Sequence, residues 1–167
     1  MAHRWEWSRY ATAIGVLSCV MIALSFLVPW YGADDVPYYG IESGYRVEYS
    51  AGIERMGDLM SEVTIVLSLS LGASIIAAVM SYLSRKVSGV IAGAFSAGLL
   101  LTAAAIFYFG AIDELSLESF SGLTHLNRTW DVQTEPMLGW WLAVTVPALQ
   151  GVQAVVLAHT FDLPNAR

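Results

Sequence analysis

Four long apolar runs, none of which contains an Asp, Glu, Lys or Arg residue, divide this chain. They cover residues 10–30, 63–83, 87–110 and 137–160. A helix needs about 20 residues to cross the roughly 30 Å hydrocarbon core of a bilayer, and each run reaches that length. The sequence therefore predicts a membrane all-α protein, in which residues 1–167 form a single integral membrane domain built on a bundle of four transmembrane helices.

The charged residues outside these runs divide unequally between the two sides of the membrane. The segments 31–62 and 111–136 hold twelve acidic residues against three arginines, a net charge of −9, whereas the remaining segments sum to +3. Basic residues close to span ends are retained in the cytoplasm. The residues that set this orientation are Arg4, Arg9, Arg85 and Lys86. We therefore predict a plasma-membrane protein with cytoplasmic termini, an inner turn at 84–87 and outer loops at 31–62 and 111–136.

The first run has an alternative interpretation as a cleaved signal peptide, because Arg4 and Arg9 precede it. The run is too long for the apolar core of such a peptide. Its end at Pro29, Trp30 and Tyr31 also provides no small-residue cleavage site. We therefore interpret it as the first membrane span.

Two of the spans carry residues that are typical of helix contacts in lipid. There, close approach through small residues and hydrogen bonds between helices replace the hydrophobic effect. Gly89, Gly93 and Ala97 recur every four residues in the third run, and Gln150 and Gln153 lie three apart in the fourth. We predict that these five residues mediate helix packing. The alternative for the two glutamines is a polar pore lining.

The first outer loop has the period-two pattern of a half-buried β-strand. Aromatic or aliphatic residues occupy alternate positions, at Tyr39, Ile41, Tyr45, Val47 and Tyr49. The pattern predicts a hairpin with a three-residue turn at 42–44, in which Ile41 lies opposite Tyr45 and Tyr39 opposite Val47. A lone hairpin is barely stable, so this small extracellular β-hairpin layer should pack on the second outer loop or on another subunit.

Sequence motifs for catalysis and cofactor binding are lacking in this chain. It has no nucleophile elbow, phosphate-binding glycine loop, zincin helix or paired cysteines, and Cys19 is its single cysteine. We therefore predict a protein that is not an enzyme and that binds no cofactor. A less favoured alternative is a metal-dependent activity on the outer face, with a divalent cation bound by Asp34, Asp35, Glu114 and His125.

The segments outside the spans also indicate a modification site and the kinds of partner that the chain can bind. Asn127, Arg128 and Thr129 form an acceptor sequence for N-glycosylation on the predicted outer side. The inner basic residues are too few to bind nucleic acid, and the outer face is acidic. The partners that we expect are therefore the lipid bilayer and other membrane subunits, or further copies of this chain.

The layout of the whole chain resembles the claudin-like tetraspan superfamily. The shared features are four spans with inner termini, a longer first outer loop with strand character, a shorter second loop, and Pro29-Trp30 at the end of the first span. Claudins proper also carry Gly-Leu-Trp and two loop cysteines, whereas this chain has Gly40-Ile41 in that region and no loop cysteine. The resemblance implies an outer β-layer on a left-handed four-helix bundle that serves lateral or cell-to-cell assembly.

Two functional hypotheses follow from these observations. The leading one is a non-enzymatic four-span protein that mediates assembly, either with itself or as an accessory subunit of a larger membrane complex. The alternative is a small oligomeric channel or transporter, in which the acidic outer face forms a vestibule that concentrates cations.

The charge asymmetry leads to a prediction about orientation. In a Cys19→Ala background, the variants Ser50→Cys and Ser121→Cys should react with a membrane-impermeant maleimide added to intact cells. Ser84→Cys, in the inner turn, should react only after the membrane is opened. Labelling of Ser84→Cys in intact cells would show that the orientation is the reverse.

Overall fold

A computed structural model of the chain describes residues 2–38, 41–50, 57–111 and 133–159. The elements in chain order are α1 (Ala2–Ser25), β1 (Pro29–Tyr38), β2 (Ile41–Ser50), α2 (Gly57–Tyr82), α3 (Lys86–Ile106) with a π-helical continuation (Phe107–Ala111), β3 (Gln133–Pro136) and α4 (Leu138–His159).

The prediction of four helices able to cross a membrane is confirmed. The described residues contain four helical segments of sufficient length and apolar composition, at Trp7–Ser25, Glu62–Tyr82, Lys86–Phe109 and Leu138–Ala158. Large aliphatic side chains on their outer faces are more than half exposed, as at Ile65, Leu69 and Ile91. Such a surface suits lipid, so the chain is an integral membrane protein.

The first helix ends earlier than the apolar run predicts. We expected a span over residues 10–30, but α1 ends at Ser25 and residues 29 and 30 already belong to β1. Pro29 lacks a backbone N–H and biases the residue before it towards an extended conformation, which favours an exit from the helix there. Hydropathy alone does not detect this change, because the residues remain apolar.

The turn between α2 and α3 closes through backbone hydrogen bonds. The Arg85 amide donates to the Met80 carbonyl at 2.8 Å, and the Ser84 amide donates to the Ser81 carbonyl at 3.1 Å. This pair of bonds is the Schellman motif, which places one residue in the left-handed region. Ser84 takes that conformation, with φ of 57°. The tight turn makes α2 and α3 antiparallel neighbours.

On each helix one stripe of residues faces the bundle interior. Successive residues of the stripe are alternately three and four positions apart. That spacing is the heptad repeat of left-handed coiled packing. The buried residues are Ala11, Gly15, Ser18, Ile22 and Ser25 on α1; Val63, Leu67, Ser70, Ser74, Ala77 and Ser81 on α2; Gly89, Gly93, Ser96, Leu100, Ala103 and Phe107 on α3; and Ala143, Val146, Gln150, Gln153 and Leu157 on α4.

The interior differs in composition between its two ends. Large apolar side chains, including Trp30, Leu67, Leu100 and Phe107, fill the end next to the strands. Serines, glutamines, glycines and alanines fill most of the other half, towards the turn between α2 and α3.

The strands form one antiparallel sheet in the order β2-β1-β3. Because β1 follows α1 and β3 directly precedes α4, the sheet lies at the end of the bundle opposite the α2–α3 turn. β3 pairs with β1 through four residue pairs, from Tyr31 opposite Pro136 to Asp34 opposite Gln133.

The register between β1 and β2 corrects the hairpin prediction. Ile41 pairs with Tyr38, and Tyr45 pairs with Val36 rather than with Ile41. Val47 pairs with Ala33, and Tyr49 with Tyr31. Residues 42–44 therefore lie within β2 and do not form the predicted turn, and Tyr39 is outside the described residues.

Two irregularities explain why the sequence pattern was misread. The register shifts between Ala33 and Val36, where β1 has one residue more than β2, at Asp34-Asp35. It shifts again between Val36 and Tyr38, where β2 has the extra residues, within 42–44. Such bulges let two long strands pair in spite of a break in the alternation. The longer ladder satisfies more backbone groups than the short hairpin that we predicted.

The contact between Gly139 and Trp30 gives a prediction about stability. A Cβ atom at Gly139 would collide with the Trp30 indole and lie 3.0 Å from the Pro29 carbonyl oxygen. Gly139→Ala should therefore lower the free energy of unfolding by about 1–3 kcal/mol, as overpacking does. Unfolding in detergent by steric trapping would measure it.

Gly151 provides the matched control, because a Cβ atom there meets nothing within 4 Å. Gly151→Ala should leave stability unchanged or raise it by up to about 1 kcal/mol through helix propensity. Equal effects of the two substitutions would contradict close packing of α4 on Trp30.

Candidate functional site: the polar core and the outer sheet

The core of the bundle contains a hydrogen-bonded network of serines and glutamines. Ser70, Ser74, Ser81, Ser96, Gln150 and Gln153 are all at most 3% exposed. None of these side chains ionises at neutral pH, so the network carries hydrogen bonds without a buried charge. Hydrogen bonds between helices in lipid contribute about 0.6 kcal/mol each on average.

Ser96 joins three helices. Its hydroxyl donates to the Ser70 carbonyl on α2 at 2.9 Å, and the Ser70 hydroxyl donates to the Ser96 carbonyl at 3.0 Å. The Gln150 amide nitrogen on α4 donates to Ser96 Oγ at 2.8 Å. Because both serine hydroxyls donate to carbonyls, Ser96 Oγ is available as an acceptor, and this fixes which end of the Gln150 amide faces it.

Ser81 joins the helices in the same way, closer to the α2–α3 turn. Its hydroxyl donates to the Ala77 carbonyl at 2.7 Å and accepts from the Gln153 amide nitrogen at 3.0 Å. The Ser8 hydroxyl of α1 donates to the Ser81 carbonyl at 2.6 Å. Ser81 therefore ties α1, α2 and α4 together.

A third contact lies between these two serines. Ser74 Oγ is 3.4 Å from both the Cys19 thiol on α1 and the Gln150 amide nitrogen. These two contacts are longer than those at Ser81 and Ser96 and are correspondingly weaker.

Gln150 keeps one unsatisfied atom. Its Oε1 atom is buried and has no hydrogen-bond partner. Leaving a buried acceptor unpaired costs about 1–3 kcal/mol. Gln150 thus contributes one short hydrogen bond to Ser96 together with a penalty that is larger than the average gain from such a bond.

The small residues predicted for helix packing make their contacts inside the chain. A Cβ atom at Gly89 would lie 3.3 Å from Leu157 and 3.6 Å from the Ala77 carbonyl oxygen, and one at Gly93 would lie 3.9 Å from the Ala77 side chain. Ala97 is only half-buried and lies beside the buried stripe. Gly89 and Gly93 therefore pack α3 against α2 and α4.

Gly15 marks the closest approach of α1 to α2, and we did not predict it. A Cβ atom at this position would lie 2.8 Å from the Gln153 amide nitrogen and 3.1 Å from Ala78 Cα. A real side chain would therefore displace both the helix backbone and the amide. The signal was present in the sequence as Ala11, Gly15 and Ser18, which are small residues at steps of four and three.

Trp30 connects the outer sheet to the bundle. Its indole N–H donates to the Ser25 carbonyl at 2.6 Å, which satisfies a carbonyl at the end of α1. Its ring packs edge-on against Phe107, with centroids 5.3 Å apart. Its own carbonyl accepts from the Met137 amide at 2.8 Å, next to the start of α4. One buried residue therefore contacts three helices and belongs to β1.

Aromatic side chains form a band around the same end of the bundle. Tyr108 lies 5.9 Å from Trp140, and Trp140 lies 4.9 Å from Trp141. Phe109 and Trp141 are 72% and 53% exposed. Aromatic rings are typical of the headgroup region, so the band indicates where the bundle leaves the hydrocarbon core.

The outer strands place most of the predicted interaction residues together. Ile41, Tyr45, Val47 and Tyr49 all lie on β2, and within the described part of the chain β2 pairs only with β1. It is thus an edge strand of ten residues. The backbone groups on the open edge of such a strand are a template for pairing with another strand.

The charged side chains that the structure describes lie at opposite ends of the bundle according to their sign. Arg9, Arg85 and Lys86 lie at the end with the α2–α3 turn, and Glu62 lies at the end with the sheet. Arg4 is in the first turns of α1, on the same end as Arg9.

The residues of the metal-site alternative are only partly placed. Asp34 and Asp35 lie on β1, whereas Glu114, His125 and the acceptor Asn127 are outside the described ranges. Over 2–38, 41–50, 57–111 and 133–159, no group of three or more His, Cys, Asp or Glu residues is arranged to hold a metal ion.

The chain matches no protein-family model and no curated protein.

The hydrogen bonds of the two glutamines lead to a comparative prediction. Gln153→Leu removes the bond to Ser81 and should lower the free energy of unfolding by about 0.6 kcal/mol. Gln150→Leu loses the bond to Ser96 but also removes the unpaired Oε1 atom, whose cost is larger, so it should leave the free energy of unfolding unchanged or raise it. Steric trapping in bicelles would measure both variants.

Thr145 provides a control on α4, because it is exposed and its hydroxyl bonds only to carbonyls of its own helix. Thr145→Val should leave stability unchanged. If Gln150→Leu proved more destabilising than Gln153→Leu, the Gln150 oxygen would have to be paired in the folded protein.

Proposed function

We propose that this chain is a non-enzymatic four-span membrane protein that mediates assembly through its outer sheet, with a second copy of itself or as an accessory subunit of a membrane complex. The observation that carries the proposal is the edge strand β2, ten residues long and paired on one side only among the described residues. An added strand supplies main-chain hydrogen bonds for affinity, and alternate side chains supply specificity.

The contacts within the bundle support this choice of surface. Gly89, Gly93, Gln150 and Gln153 contact other helices of the same chain. These small and polar residues, which are of the kind that can also join helices of different membrane proteins, are therefore occupied internally. This leaves the outer sheet as the better candidate for partner contacts.

The attachment of the sheet also supports the proposal. Trp30 is fully buried, and backbone hydrogen bonding connects its carbonyl to Met137. A binding surface held on a rigid element loses less conformational entropy on association than a mobile loop does. The likeness in layout to the claudin-like superfamily is consistent with such a role, with the termini in the cytoplasm and the acidic loops outside the plasma membrane.

The packing of the core favours assembly over conduction by a single chain. Leu67, Leu100 and Val63 are completely buried between the polar network and the sheet. Apolar side chains in that position close the polar network on the outer side. A channel would then have to form between chains, and its test is ion flux.

The test of the proposal compares two neighbouring positions on β2. Val47→Asp places a charge on the apolar face that the period-two pattern defines, whereas Arg46→Asp changes the opposite face. We expect Val47→Asp to remove the oligomer or the co-purifying partner while the spans stay inserted. Arg46→Asp should retain it in spite of its larger change in charge. Mass determination of the complex in mild detergent provides the measurement.

Ion flux distinguishes the alternative function. The double substitution Gln150→Leu and Gln153→Leu should leave both the oligomer and the ion permeability of proteoliposomes unchanged if the glutamines only pack helices. Potassium, sodium or proton flux that is robust in the wild type and lost in the double variant, with the oligomer intact, would contradict the assembly proposal and establish a channel.

A further inference from the structure

An apolar groove runs between α3 and α4 at the end of the bundle that carries the α2–α3 turn. It has a volume of about 420 Å³, and six apolar side chains line it: Val87, Val90, Ile91, Ala154, Val155 and Ala158. Both helices are membrane spans here, so the groove faces lipid rather than water. It is separate from the outer sheet, which lies at the opposite end of the bundle.

Two basic residues immediately precede the groove along the chain. Arg85, which is exposed, and Lys86 immediately precede the lining residue Val87. The first turn of α3 contains no acidic residue, and its N-cap Arg85 makes no capping hydrogen bond through its side chain. A helix N-terminus favours an anion, and so does an exposed cation beside it such as Arg85.

Basic residues outnumber acidic ones at this end, where Arg4, Arg9, Arg85 and Lys86 lie together with Glu6. Of the four charged side chains that the structure describes within the spans and their ends, Arg9, Arg85 and Lys86 lie here and Glu62 lies at the far end. An anionic phospholipid has an apolar acyl chain linked to a charged phosphate. Its chemistry therefore matches an apolar groove that has basic residues at one end.

We propose that this groove binds one anionic phospholipid, with its phosphate at the N-terminus of α3 beside Arg85 and one acyl chain along the groove. The lipid fills the space between the exposed side chains of Val87 and Val155 and covers the line along which α3 and α4 meet.

The dimensions of the groove favour a lipid over a helix as its occupant. The lining residues extend from Val87 to Ile91 on α3 and from Ala154 to Ala158 on α4. This is little more than one turn on each helix, whereas packed helices interlock over several turns. A flexible hydrocarbon chain fits such a short, smooth groove.

The experiment measures lipid retention by native mass spectrometry of the full-length chain. The protein in detergent is mixed with equal amounts of dioleoyl phosphatidylglycerol and dioleoyl phosphatidylcholine, which share their acyl chains and phosphate but carry a glycerol headgroup with a net negative charge and a choline headgroup with no net charge. We expect one retained phosphatidylglycerol per chain in preference to phosphatidylcholine. Arg85→Gln should lower this preference about fivefold, the factor for one cation at a membrane surface.

A second variant tests the groove itself. Ala158→Trp places an indole at an exposed lining position and should abolish retention of both lipids. Ala148→Trp introduces the same side chain at an exposed position of α4 outside the groove, and it should retain lipid as the wild type does. Equal thermal stability of the two variants excludes misfolding as the cause.

Three outcomes would overturn the proposal. These are equal retention of both lipids by the wild type, an unchanged preference in Arg85→Gln, and equal retention by the Ala158→Trp and Ala148→Trp variants. A dimer that Ala158→Trp dissociates, in the absence of bound lipid, would assign the groove to a second copy of the chain instead.

Discussion

The structure depends on a constraint that lipid imposes, namely that burial of apolar surface does not by itself drive helices together. Attraction must come from close backbone approach and from hydrogen bonds between helices. The chain meets both needs with the same stripes of residues. Gly15 and Gly89 bring α1 and α3 close to α2, and the short distances that result place Ser81 and Ser96 where each contacts two other helices.

The network also explains why the inner half of the core is polar without being charged. Except for Gln150 Oε1, the hydroxyl and amide groups are satisfied by one another and by helix carbonyls, and none carries the large desolvation penalty of a buried charge. The outer half uses large apolar side chains around Trp30 instead. Trp30 is the second residue of β1, and its buried indole donates to the Ser25 carbonyl at the end of α1, so the packing of the bundle determines where the sheet lies.

This arrangement separates two surfaces with different chemistry. The sheet end offers backbone groups along the edge of β2, which suit another polypeptide. The opposite end offers cations above an apolar groove, which suit a lipid. The interior between them is filled by contacts within the chain. Partner binding at one end and lipid binding at the other therefore make no use of the helix-packing residues, and the two proposals stand or fall separately.

The sequence by itself determined the four helices, because an uninterrupted run of about 20 apolar residues is a local feature, and a helix of that length spans the hydrocarbon core. It also indicated the small and amide residues of α3 and α4. It did not reveal the stripes of α1 and α2, because lipid-facing and core-facing residues differ little in hydropathy there and the signal lies in small size and hydroxyl groups. The place of Trp30 in the core and the register of β1 with β2 were decided only in three dimensions. The Trp30 indole donates to the Ser25 carbonyl and packs against Phe107. The long β1–β2 ladder accommodates Asp34-Asp35 as a bulge. Both depend on residues far apart in the chain, so no local pattern contains them.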